Sequence, residues 1–118
     1  MKKKIIMGLF VLATVIGMGF AAGKSRAEVQ RFVANFESAV NDLSRFTNQL
    51  KRGNDNSARQ NLERAIGKVN QIQNTFSFYA EDLAAPENQD LYDRFVRAGE
   101  KCANVNAELQ TYAQINSL

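Results

Sequence analysis

Three stretches of this chain place apolar side chains alternately three and four residues apart without a break, and that spacing admits few folds. The first runs Val29, Phe32, Phe36, Ala39, Leu43, Phe46, Leu50. The second runs Ala58, Leu62, Ala65, Val69, Ile72, Phe76, Tyr79, Leu83, and the third Leu91, Phe95, Ala98, Cys102, Val105, Leu109, Tyr112. A heptad of this kind suits a helix and not a strand, and it lays an apolar stripe along one side that other helices must cover. Val33 and Val40 widen the first stripe, and Ile66 and Ala80 the second, to the breadth that a bundle core requires.

Local signals bound the three segments. Lys51 and Arg52 complement the negative end of a helix dipole, and Gly53 is expected to end that helix in the left-handed region. Helix one is therefore predicted over about 28–52. Ser57 followed by Gln60 has the spacing of a capping box, with Asp55 as a rival cap, so helix two is predicted over about 57–85. Gly67 falls on its outer face. Pro86 suits a first helical position, and Glu87, Asp90 and Asp93 favour a helix N-terminus nearby. Helix three is predicted over about 87–115; the next residue in phase, Asn116, ends the stripe. Short connections force antiparallel neighbours. The expected fold is all-α: an up-down-up antiparallel three-helix bundle with heptad packing.

A different kind of segment precedes it. Lys2, Lys3 and Lys4 are followed by an apolar run from Ile5 to Ala22 and then by small residues, the order of a secretory signal peptide. Residues 1–27 are read as that leader and 28–118 as the bundle. Cleavage is expected after Ala27, with Ser25 and Ala27 as the small pair, or after Gly23, with Ala21 and Gly23. An uncleaved anchor is the rival, since roughly 17 apolar residues suffice to cross a bilayer. Gly17, Gly19 and the small residues that follow favour cleavage. No cysteine near the cleavage region invites lipidation. The expected location is periplasmic or secreted.

Removing the leader changes the charge. The whole chain carries a formal +3, but five of its fifteen basic residues precede Glu28, leaving ten against twelve acidic residues. A mature domain at −2 is no nucleic-acid binder. The remaining charge is uneven. Residues 45–68 hold six basic and two acidic side chains, while residues 81–93 hold five acidic and none basic. In the expected topology these segments lie at opposite ends. The ordinary reading is solvated charge with helix-end bias. The functional reading is two docking ends, the basic one for an anionic surface and the acidic one for a cationic partner. Membrane contact is expected only through the signal segment or the basic end. The acidic turn lacks EF-hand spacing.

The chemistry is bounded by absences. The chain has no histidine and one cysteine, which excludes the usual zinc sites, covalent haem attachment, and Ser–His–Asp or Cys–His catalysis. No Gly-rich phosphate loop is present. A carboxylate-based hydrolase is the third and weakest reading: it would need acidic residues in a pocket, and every acidic residue is expected off the core stripes. No enzyme, no cofactor and no metal site is expected. Cys102 lies on the third stripe and is read as a small buried hydrophobe with a raised thiol pKa. Its rival reading is an intermolecular disulfide or a reactive thiol in an oxidising compartment.

One candidate face remains. Tyr92, Val96, Gly99 and Ala103 form a second row beside the third stripe, and Phe78 sits on the outer side of helix two. The small residues would let another helix approach, so these five mark a candidate interaction face for a protein partner or a second copy. The plainer reading is a widened core stripe with stray exposed residues. The expected function is that of an exported, non-enzymatic helical protein that binds another macromolecule in the periplasm or at the cell surface. The alternative is a carrier of a small apolar ligand, its cavity lined by Phe32, Phe36, Phe46, Phe76, Tyr79, Phe95 and Tyr112.

Overall fold

A computed structural model of the chain describes residues 23–53 and 55–115. The expected leader lies outside the described residues as far as position 22. Everything described is helix or connection, so the fold is all-α. Four α-helices follow in order: α1 (Arg26–Arg52), α2 (Asn56–Asn74), α3 (Ala80–Ala84) and α4 (Gln89–Ile115). Short 3₁₀ turns, Phe76–Phe78 and Pro86–Asn88, flank α3.

The first helix starts two residues before the expected Glu28. Ser25 is its N-cap: the Ser25 hydroxyl accepts from the Glu28 N–H at 3.1 Å, and the Glu28 carboxylate accepts from the Ser25 N–H at 3.0 Å. Such a reciprocal box satisfies two N–H groups that the helix itself leaves unbonded, and a cap of this type is worth about 0.5–2 kcal/mol. At the other end Gly53 is not left-handed. Its φ of −158° is ordinary extended backbone, and its N–H closes the helix on the Gln49 carbonyl at 2.9 Å. Of the two rival caps for α2, Asp55 is the one used, its carboxylate accepting from Ala58 N–H at 2.8 Å.

The predicted continuous helix over 57–85 is interrupted. Thr75 leaves the helical register, and its hydroxyl donates back to the Ile72 carbonyl at 2.8 Å. This local bond competes with the helix ladder. The break sits where four large rings converge. Phe32 stacks on Tyr79 with centroids 4.2 Å apart, Phe76 stacks on Phe95 at 5.1 Å, and Phe32 and Phe95 lie 5.6 Å apart. Stacking of this kind adds about 0.5–1.5 kcal/mol per pair beyond area burial. The third helix is likewise delayed: Pro86 opens a 3₁₀ turn, and α4 begins at Gln89.

The core lies where α1 faces both α2 and α4. Val29, Phe36, Leu43, Leu50, Leu62, Val69, Leu83, Leu91 and Leu109 are almost completely buried. On α4 the expected stripe from Leu91 to Leu109 is buried throughout, with Tyr112 half-buried at its end. On α1 the stripe wanders. Phe46 is only half-buried, beneath the Arg45 guanidinium, and Thr47 is fully inside. A straight α-helix drifts about 20° per heptad against a strict seven-residue repeat. Over three heptads that drift turns Phe46 outward and brings the row Val33, Val40, Thr47 to the centre. The same drift on α2 buries Gln73, which follows Ile66 by one heptad.

Relative direction follows from the side-chain pairs. Residues near the start of α1 meet residues near the start of α4, as in Arg26 with Asp90, and Leu50 near its end meets Tyr112. Those two helices run the same way. The start of α1 also meets the segment after α2, through Phe32 and Tyr79, so α2 runs against α1. The described residues form a rod of 46 × 22 × 18 Å.

Candidate functional site

Helix geometry places the second row of α4. Arg94, Lys101 and Glu108 point to α1: Arg94 donates two hydrogen bonds to Glu37 at 3.0 and 2.7 Å, Lys101 donates to Asn41 at 2.7 Å, and Glu108 lies 3.8 Å from Lys51. Tyr92, Val96, Gly99 and Ala103 fall on the flank of α4 turned away from that row. Tyr92 is 41% exposed, whereas Val96, Gly99 and Ala103 are half-buried. Val96 is therefore less open than a residue on the outer side of a helix would be.

Phe78 is elsewhere. It is 53% exposed and stands at the rim of a groove of about 480 Å³ between α1 and the carboxy-terminal part of α2. Phe32, Ile72 and Tyr79 contribute the apolar wall, and Lys24, Glu28 and Arg31 the charged edge. Thr75, where α2 ends, lines this groove beside Phe78.

The acidic segment 81–93 carried, beside the ordinary reading of solvated charge, a functional reading as a docking end for a cationic partner; the chain supplies one cation to it from its own α1. Arg26 forks onto the Asp90 carboxylate and also donates to the Asn88 amide oxygen at 3.2 Å and the Glu87 carbonyl at 3.2 Å. The hydrogen bond from Arg26, more than its charge, holds the Asp90 carboxyl below the usual range for aspartate. Lys24 donates to the Phe78 carbonyl at 2.6 Å and lies 5.0 Å from the centre of the Tyr79 ring.

Nor are all acidic residues off the core. Asp82 is only 6% exposed. Its Oδ1 accepts from the N–H of Gly23 at 2.8 Å and of Lys24 at 3.2 Å, and its backbone carbonyl accepts from the buried Asn88 amide at 2.7 Å. Its Oδ2 is buried and has no partner among the described residues. The heptad pattern placed Asp82 outside because it precedes the seam residue Leu83; Leu83 stays buried, and Asp82 is covered as well because the backbone of Gly23 and Lys24 lies against it. The sequence signal nearest to this feature is the Ser25-x-x-Glu28 spacing, which caps α1 at Ser25 and so brings Lys24 to this end.

Cys102 is buried, and burial raises its thiol pKa. Glu37 is held below the ordinary carboxylate range, first by the hydrogen bond from Arg94. Among the described residues no three His, Cys, Asp or Glu side chains are grouped to hold a metal ion, and no helix is long and apolar enough to cross a membrane. Compared with protein-family models, with curated proteins and with solved structures, the chain finds no match in any of the three, so its own geometry carries the functional argument.

Proposed function

We propose that this is an exported, non-enzymatic protein: a leader followed by an up-down-up three-helix bundle with heptad packing, which binds another macromolecule in the periplasm or at the cell surface. The observation that carries the reading is the groove between α1 and α2, with its apolar wall, its charged edge and a half-exposed Phe78. An apolar centre with aromatic anchors and a polar rim is the composition of a protein-docking patch. The exposed ring of Tyr92 offers a second anchor on α4 for a protein partner or a second copy. A chain without histidine and with one buried cysteine has little to catalyse with. The carrier alternative draws less support, because the stacked rings of Phe32, Tyr79, Phe95 and Phe76 occupy the space that a held ligand would need. Arg45, Lys51 and Arg52 at the far end are the residues that would meet an anionic surface.

The test is affinity capture from the protein's own cell envelope, paired with sedimentation velocity to read self-association. Phe78→Glu is expected to abolish capture while leaving stability within about 0.5 kcal/mol, as exposed substitutions do. Val96→Glu tests the α4 row in the same way: loss of association without loss of stability assigns that row to the interface, and unfolding assigns Val96 to the core. A monomer that captures nothing, or capture indifferent to both substitutions, would sink the proposal.

A further inference from the structure

The four residues before Ala27 behave as part of the folded domain, and the contacts they make are unusual for a stretch due to be discarded with a leader. Lys24 is held at three points: its N–H on Asp82 Oδ1, its Nζ on the Phe78 carbonyl, and its ammonium over the Tyr79 ring. Ser25 caps α1, and Arg26 is tied to Asp90. Gly23, by contrast, is exposed, has a φ of +145° that side-chain-bearing residues rarely adopt, and has open space around it. Between Gly23 and Lys24 the chain passes from a residue held only through its backbone N–H, 2.8 Å from Asp82 Oδ1, to one held at three points. Beneath that junction sits the buried Asp82 carboxylate, with one oxygen bonded to the two N–H groups and the other without a partner among the described residues. A buried carboxylate facing only neutral donors lacks the counter-charge that normally accompanies one.

We infer that the leader is cut between Gly23 and Lys24, and that the Lys24 α-ammonium so created is received by Asp82 as the ion pair that completes this end of the domain. The inference rests on the export reading above. In the cut, water delivered by a leader peptidase of the host adds across the Gly23–Lys24 amide. The C–N bond breaks, Gly23 leaves as a carboxylate at the end of the leader, and the Lys24 nitrogen takes up protons to become an ammonium. That nitrogen already lies 3.2 Å from Oδ1. It loses its bond to Gly23, gains a positive charge, and gains protons that can turn toward Oδ2. A cut after Ala27 has the opposite effect. It removes the Ser25 cap and Arg26 and takes both N–H donors from Asp82, whereas the cut after Gly23 takes only the Gly23 N–H and replaces it with the charge on Lys24. The charged groups at this end are the Lys24 side chain, Arg26 and Glu28 from the α1 side, Glu81 beside Asp82 on α3, Glu87 in the Pro86–Asn88 turn and Asp90 at the start of α4.

The experiment expresses the full chain with its own leader in a bacterium and purifies the exported product. Intact mass and N-terminal sequencing identify the first residue. Carbon-13 dimethylation followed by NMR titration then reads the α-amine separately from the lysine side chains. The expected product begins at Lys24, with an α-amine pKa above about 9 instead of the ordinary value near 8, because a carboxylate within hydrogen-bond reach favours the charged form. Asp82→Asn in the same full chain is expected to return the value to near 8, and Glu81→Gln to leave it raised. If Asp82→Asn does not fold, the wild-type value alone decides. An exported product beginning at Glu28 or at any other residue, or one beginning at Lys24 with an ordinary α-amine, overturns this inference while export stands. An intact Met1 retained in the membrane fraction overturns both.

Discussion

Thr47 offers the sharpest test of how the core is built. It is fully buried, and its hydroxyl has no hydrogen-bond partner among the described residues. It occupies the third position of a row whose first two members are Val33 and Val40. Thr47→Val replaces the hydroxyl with a methyl of similar size at a position where the surrounding side chains already accept valine one and two heptads earlier. A buried hydroxyl without a partner costs about 1–3 kcal/mol. The new methyl adds up to about 0.8 kcal/mol of burial, and the two residues have nearly the same helix propensity. Allowing for imperfect fit, the substitution is expected to stabilise the domain by about 1–2 kcal/mol, with each kcal/mol raising the Tm by roughly 4–8 °C in a domain of this size. Circular dichroism melts and urea titrations measure both, and the midpoint is expected to move with an unchanged m-value. Thr47→Ser is the control: it keeps the hydroxyl, deletes the methyl, and is expected to lose about 1 kcal/mol. If Thr47→Val leaves the Tm unchanged or lowers it, the hydroxyl is satisfied, by a back-bond to the carbonyl one turn earlier or by an internal water. The account of the drifting stripe then loses its energetic consequence.

Two further predictions concern charge and sulfur. The Glu37–Arg94 pair, with both side chains 33% exposed, is expected to show a double-mutant coupling of only about 0.2–1 kcal/mol, shrinking as salt is added. Because the Glu37 carboxyl is lowered in the folded state, its contribution is present above the unfolded pKa and is lost as pH falls through the folded one. The stability difference between wild type and Glu37→Gln is therefore expected to hold steady above about pH 5 and to fade below about pH 4; a difference undiminished at strong acid would reject the pairing. For Cys102, a thiol reagent is expected to react slowly with the native protein and quickly once denaturant is added, since burial both hides the sulfur and suppresses the thiolate. Rapid native labelling, or a disulfide dimer on a non-reducing gel, would show the thiol at the surface.

Much of the helical architecture was legible because apolar period and end signals are local. The stripe on α4 from Leu91 to Leu109 is buried as read and α1 ends at Arg52 as read, while α2 takes the rival cap, Asp55, in place of Ser57. The candidate faces were less legible. Phe78 and Tyr92 are exposed as expected, yet the groove beside Phe78 is lined across the break at Thr75, and no glycine or proline marks that break. It accompanies stacking between rings as distant in sequence as Phe32 and Tyr79.

The sequence by itself determined that these residues are helical and roughly which side of each helix turns inward, because both depend on spacing within one segment. The tertiary structure decided the rest. It chose Thr47 over Phe46 for the interior, since that depends on how far a straight helix has rotated when it meets its neighbours. It joined Arg26 to Asp90 and Glu37 to Arg94 across more than fifty residues, because α1 and α4 run in the same direction. It also buried Asp82 under the backbone of Gly23 and Lys24, turning a residue that reads as solvated charge into the floor beneath the amino-terminal end of the domain. No local pattern encodes that pairing, since a carboxylate's surroundings are set by whichever segment folding brings against it.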